Sequence, residues 1–152
     1  MGRSTRSVSI QNYLPHREPM LMVDIISEIG SKTVSTTFLI KEDNLFVTKG
    51  ELQEVALIEN AAQTCAAIVG QSFFFDENDN ERENVSVLGF ISSIKKVKID
   101  KLPKVGEMII TKGSLVSKID GGDTVICVMQ VSTLLGEDEI MSAELNLFLQ
   151  KQ

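Results

Sequence analysis

The alternation of apolar and polar positions changes period along the chain, and each change marks an element. Residues 20–29, "MLMVDIISEI", and 32–40, "KTVSTTFLI", are rich in Val, Ile and Thr and are separated by "GSK", which predicts two strands joined by a tight turn. From Glu51 to about Phe73, "ELQEVALIENAAQTCAAIVGQSF", the period becomes helical, with Leu52, Val55, Ala56, Ala62, Ala66 and Val69 at i, i+3 and i+4 spacings. At 1.5 Å per residue that helix would run roughly 35 Å. Leu57, Ile58, Ala61, Cys65, Ala67 and Ile68 fill most of its other directions, so it is expected to be enclosed rather than to lie on a surface. Its alanines and Gly70 would let a curved sheet come close.

After the acidic turn "DENDNERENV" come four β-rich runs: "SVLGFISSIKKVKI", "GEMIITKGSLVSKI", "DTVICVMQVSTLL" and "EIMSAELNLFLQ". "LPKVG", "DGGD" and "LGED" punctuate them as turns. Strands, one long enclosed helix and a run of antiparallel strands make an α+β domain, expected to span residues 1–152 without repeat or linker. A chain of 152 residues with 43% hydrophobic content buries roughly 70% of its unfolded surface, enough for one ordinary core.

Charge and cysteine usage narrow the chemistry. A net charge of -6 and 5% aromatic content argue against nucleic-acid binding. No apolar run approaches the ~18 residues needed to span a bilayer, and the basic residues at the start are followed by no apolar segment, so a cytoplasmic setting is expected. Cys65 and Cys127 have no second cysteine nearby, which leaves neither a redox pair nor a zinc site and points to two reduced, buried thiols. No cofactor is implied.

Two residues carry candidate chemistry. Glu59 stands in "VALIENAAQ", among the apolar residues of the helix, where a carboxyl should either be kept protonated by its surroundings or own a partner. Gln63, one turn later on the same face, is placed to orient it. The plainer alternative is that Glu59 occupies a helix edge and faces water. The chain's single histidine, His16, sits in the stiff "LPHREPMLMVD", where it either caps a neighbouring carbonyl or acts as a base. With Glu59 it forms an acid/base set if the strand that follows it lies beside the helix. The reaction suited to the pair removes water from a 3-hydroxyacyl thioester: a neutral imidazole takes the proton alpha to the carbonyl, and a carboxylic acid protonates the departing hydroxyl. Backbone N–H groups near the helix start would polarise the carbonyl.

"LPHREPMLMVD", "VALIENAAQTCAAI", "GFISSIKKVKIDKLPKVGEMI" and "EIMSAELNLFLQ" together resemble the hotdog-fold 3-hydroxyacyl acyl-carrier-protein dehydratases, in order and over essentially the whole chain. The specific parts are the Leu-Pro-His-Arg-x-Pro opening, the Glu-x-x-x-Gln of the helix, and the turn of Pro103, Gly106 and Glu107. The resemblance implies an antiparallel sheet wrapped around the long helix, dimers joined sheet edge to sheet edge, and active sites drawing on both subunits. It implies Glu59 as a catalytic residue, and Gln63, Phe46 and Ala56 are expected to contact substrate. The main branch carries its catalytic histidine in a Gly-His-Phe-Pro loop before the helix, whereas "KEDNLFVTKGELQEVA" here has none, and Gln53 and Glu54 replace the usual Pro-Gly. In this the chain is similar to the divergent dehydratases of aryl-polyene and related pigment pathways, which suggests that His16 replaces the missing base.

An acidic carrier protein needs a basic patch on an acidic enzyme, and Lys95, Lys96, Lys98, Lys101 and Lys104 supply one, unless they are simply a solvated strand. Strand alternation places Lys96 and Lys98 on one face. Two other functions stay open: a hotdog thioesterase, using Glu59 to activate water, and a non-catalytic acyl-binding subunit of a dehydratase heteromer.

Overall fold

The computed structural model describes residues 17–74 and 85–152, with 78, 80 and 82 between them. Strands β1 (Ile25–Ile29) and β2 (Thr33–Leu39) form the first hairpin. The two-residue strands β3 (Val47–Thr48) and β4 (Glu51–Leu52) form a small one of their own. Lys49 and Gly50 connect them with φ of 53° and 76°, the positive pair that a two-residue type I′ turn demands. Helix α1 (Glu54–Phe74) follows, then β5 (Val87–Ile99), β6 (Met108–Asp120), β7 (Thr124–Leu135) and β8 (Asp138–Lys151). The six longer strands make one antiparallel sheet in the order β1-β2-β6-β7-β8-β5.

Period-two patterning decides which side of this sheet meets the helix. Along β8, Met141, Ala143, Leu145, Leu147 and Leu149 are buried, while the residues between them face the outer side. On β7, Val125, Cys127, Met129 and Val131 do the same. Helix α1 lies across this inner face and, as its composition predicts, is enclosed: from Ala56 to Phe73 its described side chains are buried or half-buried. Each large aliphatic side chain removed from water in this way contributes about 1.5–3 kcal/mol.

The sheet comes close to the helix at Gly113 of β6. A Cβ there would stand 3.0 Å from Cys65 Sγ and 3.2 Å from Val34 Cγ1. Both cysteines are buried and unpaired by disulfide. Burial pushes the Cys65 thiol well up and the Cys127 thiol up to about 11, so both are protonated and unreactive at neutral pH.

Two boundaries differ from the sequence reading. Helix α1 starts at Glu54 rather than Glu51, because Glu51 and Leu52 pair with β3 and Leu52 N–H donates to Pro103 O at 2.9 Å. The first strand starts at Ile25 rather than Met20, because the backbone of Met20 and Met22 bonds to helix side chains instead of to the sheet. The Pro103–Glu107 turn is a structural tie. Glu107 Oε1 accepts the Lys104 N–H at 2.8 Å, Gly106 at φ 90° donates to Ile40 O, and Glu107 O accepts from Ile40 N–H.

Candidate active site

Glu59 lies in the second turn of α1, half-buried at the rim of a cleft of about 230 Å³. The floor is made by small helix residues, Ala62 and Ala66, and the opposite wall by Gly89 and Ile91 of β5 with Leu147 and Leu149 of β8. Glu59 thus lines a cleft whose other walls are mostly apolar. It also owns the expected partner, since Gln63 Nε2 donates to Glu59 Oε1 at 3.0 Å.

Gln63 does more than that single bond. Its Oε1 accepts the Met22 N–H at 2.8 Å, which fixes the amide orientation because a backbone N–H can only donate. Its Nε2 then faces Met20 O at 2.8 Å as well as Glu59. Gln63 is almost wholly buried, with all three bonds made inside the protein. Asn60, fully buried beside it, donates from Nδ2 to Met22 O at 2.6 Å. Both backbone polar groups of Met22 are thus satisfied by side-chain amides of α1.

His16 itself lies outside the described residues. Arg17, which follows it, begins a turn in which Arg17 O accepts from Met20 N–H at 3.0 Å and Leu21 N–H at 3.1 Å. The chain after His16 is therefore fastened to the same helical turn that presents Glu59.

The other expected site residues are placed as follows. Ala56 is fully buried in the core, and Phe46 is half-buried in the loop before the helix, where its carbonyl accepts the Gln53 N–H at 3.0 Å. Neither lines the Glu59 cleft. Lys95, Lys96, Lys98, Lys101 and Lys104 are all exposed. Lys96 Nζ lies 3.7 Å from Glu144 and Lys98 Nζ 3.8 Å from Asp100, contacts of little stabilising value at such exposure. Simple alternation does not govern this stretch. A bulge between Lys95 and Lys98, with Lys96 at φ 52°, puts Lys95 opposite Glu144 and Lys98 opposite Ser142.

Sequence reasoning missed Asn60 and the threonines behind it. Thr111 Oγ1 donates to Asn60 Oδ1 at 2.6 Å and lies 2.9 Å from Thr133 Oγ1, while Thr36 and Thr64 pair at 2.7 Å. The available signal was the placement of Thr111 and Thr133 at strand positions where the pattern calls for apolar side chains. Among the described residues, no cluster of His, Cys, Asp and Glu could hold a metal ion.

An antiparallel sheet wrapped on one long enclosed helix defines a hotdog-fold protein. Comparison with known proteins narrows this further. Residues 8–151 match the family model of ApeP-like proteins, described as ApeP dehydratase, and the chain belongs to that family. It is 29% identical to the 3-hydroxyacyl acyl-carrier-protein dehydratase FabZ of Chlamydia muridarum, over 86% of each chain. Among solved structures it resembles the dehydratase heterocomplex ApeI:P of Xenorhabdus doucetiae, with TM-score 0.78 at 16% identity over 94% of this chain and 91% of that one. A hypothetical thioesterase of Streptococcus pneumoniae, solved with coenzyme A, shares the fold at TM-score 0.57 and 19% identity, over 84% and 85% of the two chains. No helix is long and apolar enough to cross a membrane among the described residues.

Proposed function

We propose that the protein removes water from a 3-hydroxyacyl thioester carried on acyl carrier protein, giving the trans-2-enoyl thioester, in fatty-acid-like or pigment lipid synthesis. The observation that carries this reading is the triple bonding of Gln63, which holds Glu59 at the mouth of an apolar cleft and ties the segment after His16 to the same turn.

In this mechanism the imidazole of His16 takes the proton from the carbon alpha to the thioester carbonyl. The electron pair left behind forms the new double bond as the C3–O bond breaks. Glu59 delivers a proton to the departing hydroxyl, which leaves as water. Transfer of the alpha proton from the imidazolium back to Glu59 resets the pair. The cleft walls exclude water and receive the acyl chain.

A dimer joined through β5 suits this site. Among the described residues that thirteen-residue strand pairs only with β8, and it exposes Leu88, Phe90, Ile94 and Val97. Such a long apolar edge invites another strand, and the cleft opens beside it at Gly89 to Ile91. The lysines of residues 95–104 lie on and just beyond the same strand, where an acidic carrier protein would dock, with a strength that falls as salt rises.

The test is an assay of the purified protein against a panel of 3-hydroxyacyl carrier-protein thioesters. Enoyl thioester is the expected product. Release of free thiol would establish a thioesterase, and no reaction without a partner subunit would establish a component of a heteromer.

A further inference from the structure

We infer that Asn60, backed by Thr111 and Thr133, is a positioning residue that sets the geometry of the Glu59–Gln63 pair through the main chain of Met22. The inference rests on the dehydratase reading for its catalytic consequence, but the coupling is a property of the fold.

The hydrogen bonds run in one direction. Asn60 Nδ2 must donate to Met22 O, because a carbonyl only accepts, so Asn60 Oδ1 is the acceptor for Thr111. The Thr111 hydroxyl spends its one proton on Asn60, so in the Thr111–Thr133 contact the donor is Thr133. Thr133, Thr111, Asn60 and Met22 O form a chain in which each donor polarises the next. All three side chains are buried, with exposure of 1% or less, so water cannot stand in for a lost member.

What this chain holds is not part of the sheet. Met22 precedes β1, and its N–H goes to Gln63 Oε1 while its C=O goes to Asn60. Gln63 keeps its Nε2 pointed at Glu59 because its Oε1 is claimed by that N–H and its Nε2 is shared with Met20 O. Release of Met22 O frees the 22–23 peptide to rotate and lets the main chain at Met22 shift, so that the Met22 N–H, on the other side of the same Cα, leaves Gln63. Gln63, left with Met20 O as its backbone tie, then no longer holds Nε2 at its 3.0 Å distance from Glu59 Oε1. A core polar cluster with a purely structural role would have no such route to the carboxyl.

Thr111→Val removes the hydroxyl with little change of shape, Thr111→Ser restores it, and Asn60→Ala tests the amide directly. Two readouts are needed. In amide hydrogen exchange, Met22 N–H should exchange at least tenfold faster in Thr111→Val and Asn60→Ala, and return to the wild-type rate in Thr111→Ser. In the dehydratase assay, Thr111→Val should lower kcat on the order of tenfold with KM within twofold, and Thr111→Ser should recover it. The Asn60→Ala loss should largely vanish in a Gln63→Ala background, because both act through one path. Unchanged exchange at Met22 in Thr111→Val overturns the coupling. Faster exchange with unchanged kcat, or fully additive Asn60 and Gln63 losses, overturns the positioning role. A wild-type protein without dehydratase activity defeats the functional reading instead, and the exchange result still decides the coupling.

Discussion

Two flanks of the same helix use small residues to opposite ends. At Cys65 the sheet presents Gly113, and the surfaces come so close that one added carbon would sit 3.0 Å from the sulfur. At Ala62 and Ala66 the helix is equally slim, but β5 and β8 do not close in, and a cleft of about 230 Å³ remains with Glu59 at its rim. Where a glycine faces a small side chain across strands paired on both sides, the gap closes. Where alanines face an edge strand, the gap persists as a cleft.

The comparison can be broken most severely at its chemical end. Glu59→Gln and His16→Ala should each cut dehydration by about 10²–10⁴-fold with the dimer intact, as read from initial rates and size-exclusion chromatography. The packed flank should respond in stability: Gly113→Ala should lower the unfolding free energy by about 1–3 kcal/mol in urea, since Cys65 and Val34 must both give way. The open flank should respond the other way. Ala66→Leu has room to enter the cleft, so thermal unfolding should hardly move while turnover of longer acyl thioesters falls on the order of tenfold relative to the shortest, by loss of burial for a few methylenes.

The smallest effect concerns pH. Cys127 titrates at about 11 in the folded chain against 9.0 for an ordinary thiol, so the unfolded state loses its proton first as pH rises. The stability tied to this thiol is full below about 9 and is lost as pH climbs toward 11. Cys127→Ala should flatten that decline in denaturation measured across the window, though its stability at neutral pH is lower.

The sequence exposed these features unevenly, for physical reasons. The C-terminal strands were legible because each keeps a strict period of two against one buried face, as Met141 to Leu149 show on β8. The enclosed helix and the Glu59–Gln63 spacing were legible because both are local. Residues 20–24 read as strand from composition, yet Met20 and Met22 spend their backbone bonds on amides some forty positions away, which no local pattern encodes. The bulge at Lys96 and the buried threonines behind Asn60 escaped for the same reason: each is defined by its partner across the fold.

The most direct test of the central claim is a single-turnover incubation with a 3-hydroxyacyl carrier-protein thioester, read by the mass of the carrier protein. The wild-type protein is predicted to give a carrier lighter by one water with the thioester intact, and Glu59→Gln to leave the mass unchanged. Dehydration by Glu59→Gln at the wild-type rate, or a carrier returned as free thiol, would contradict the account.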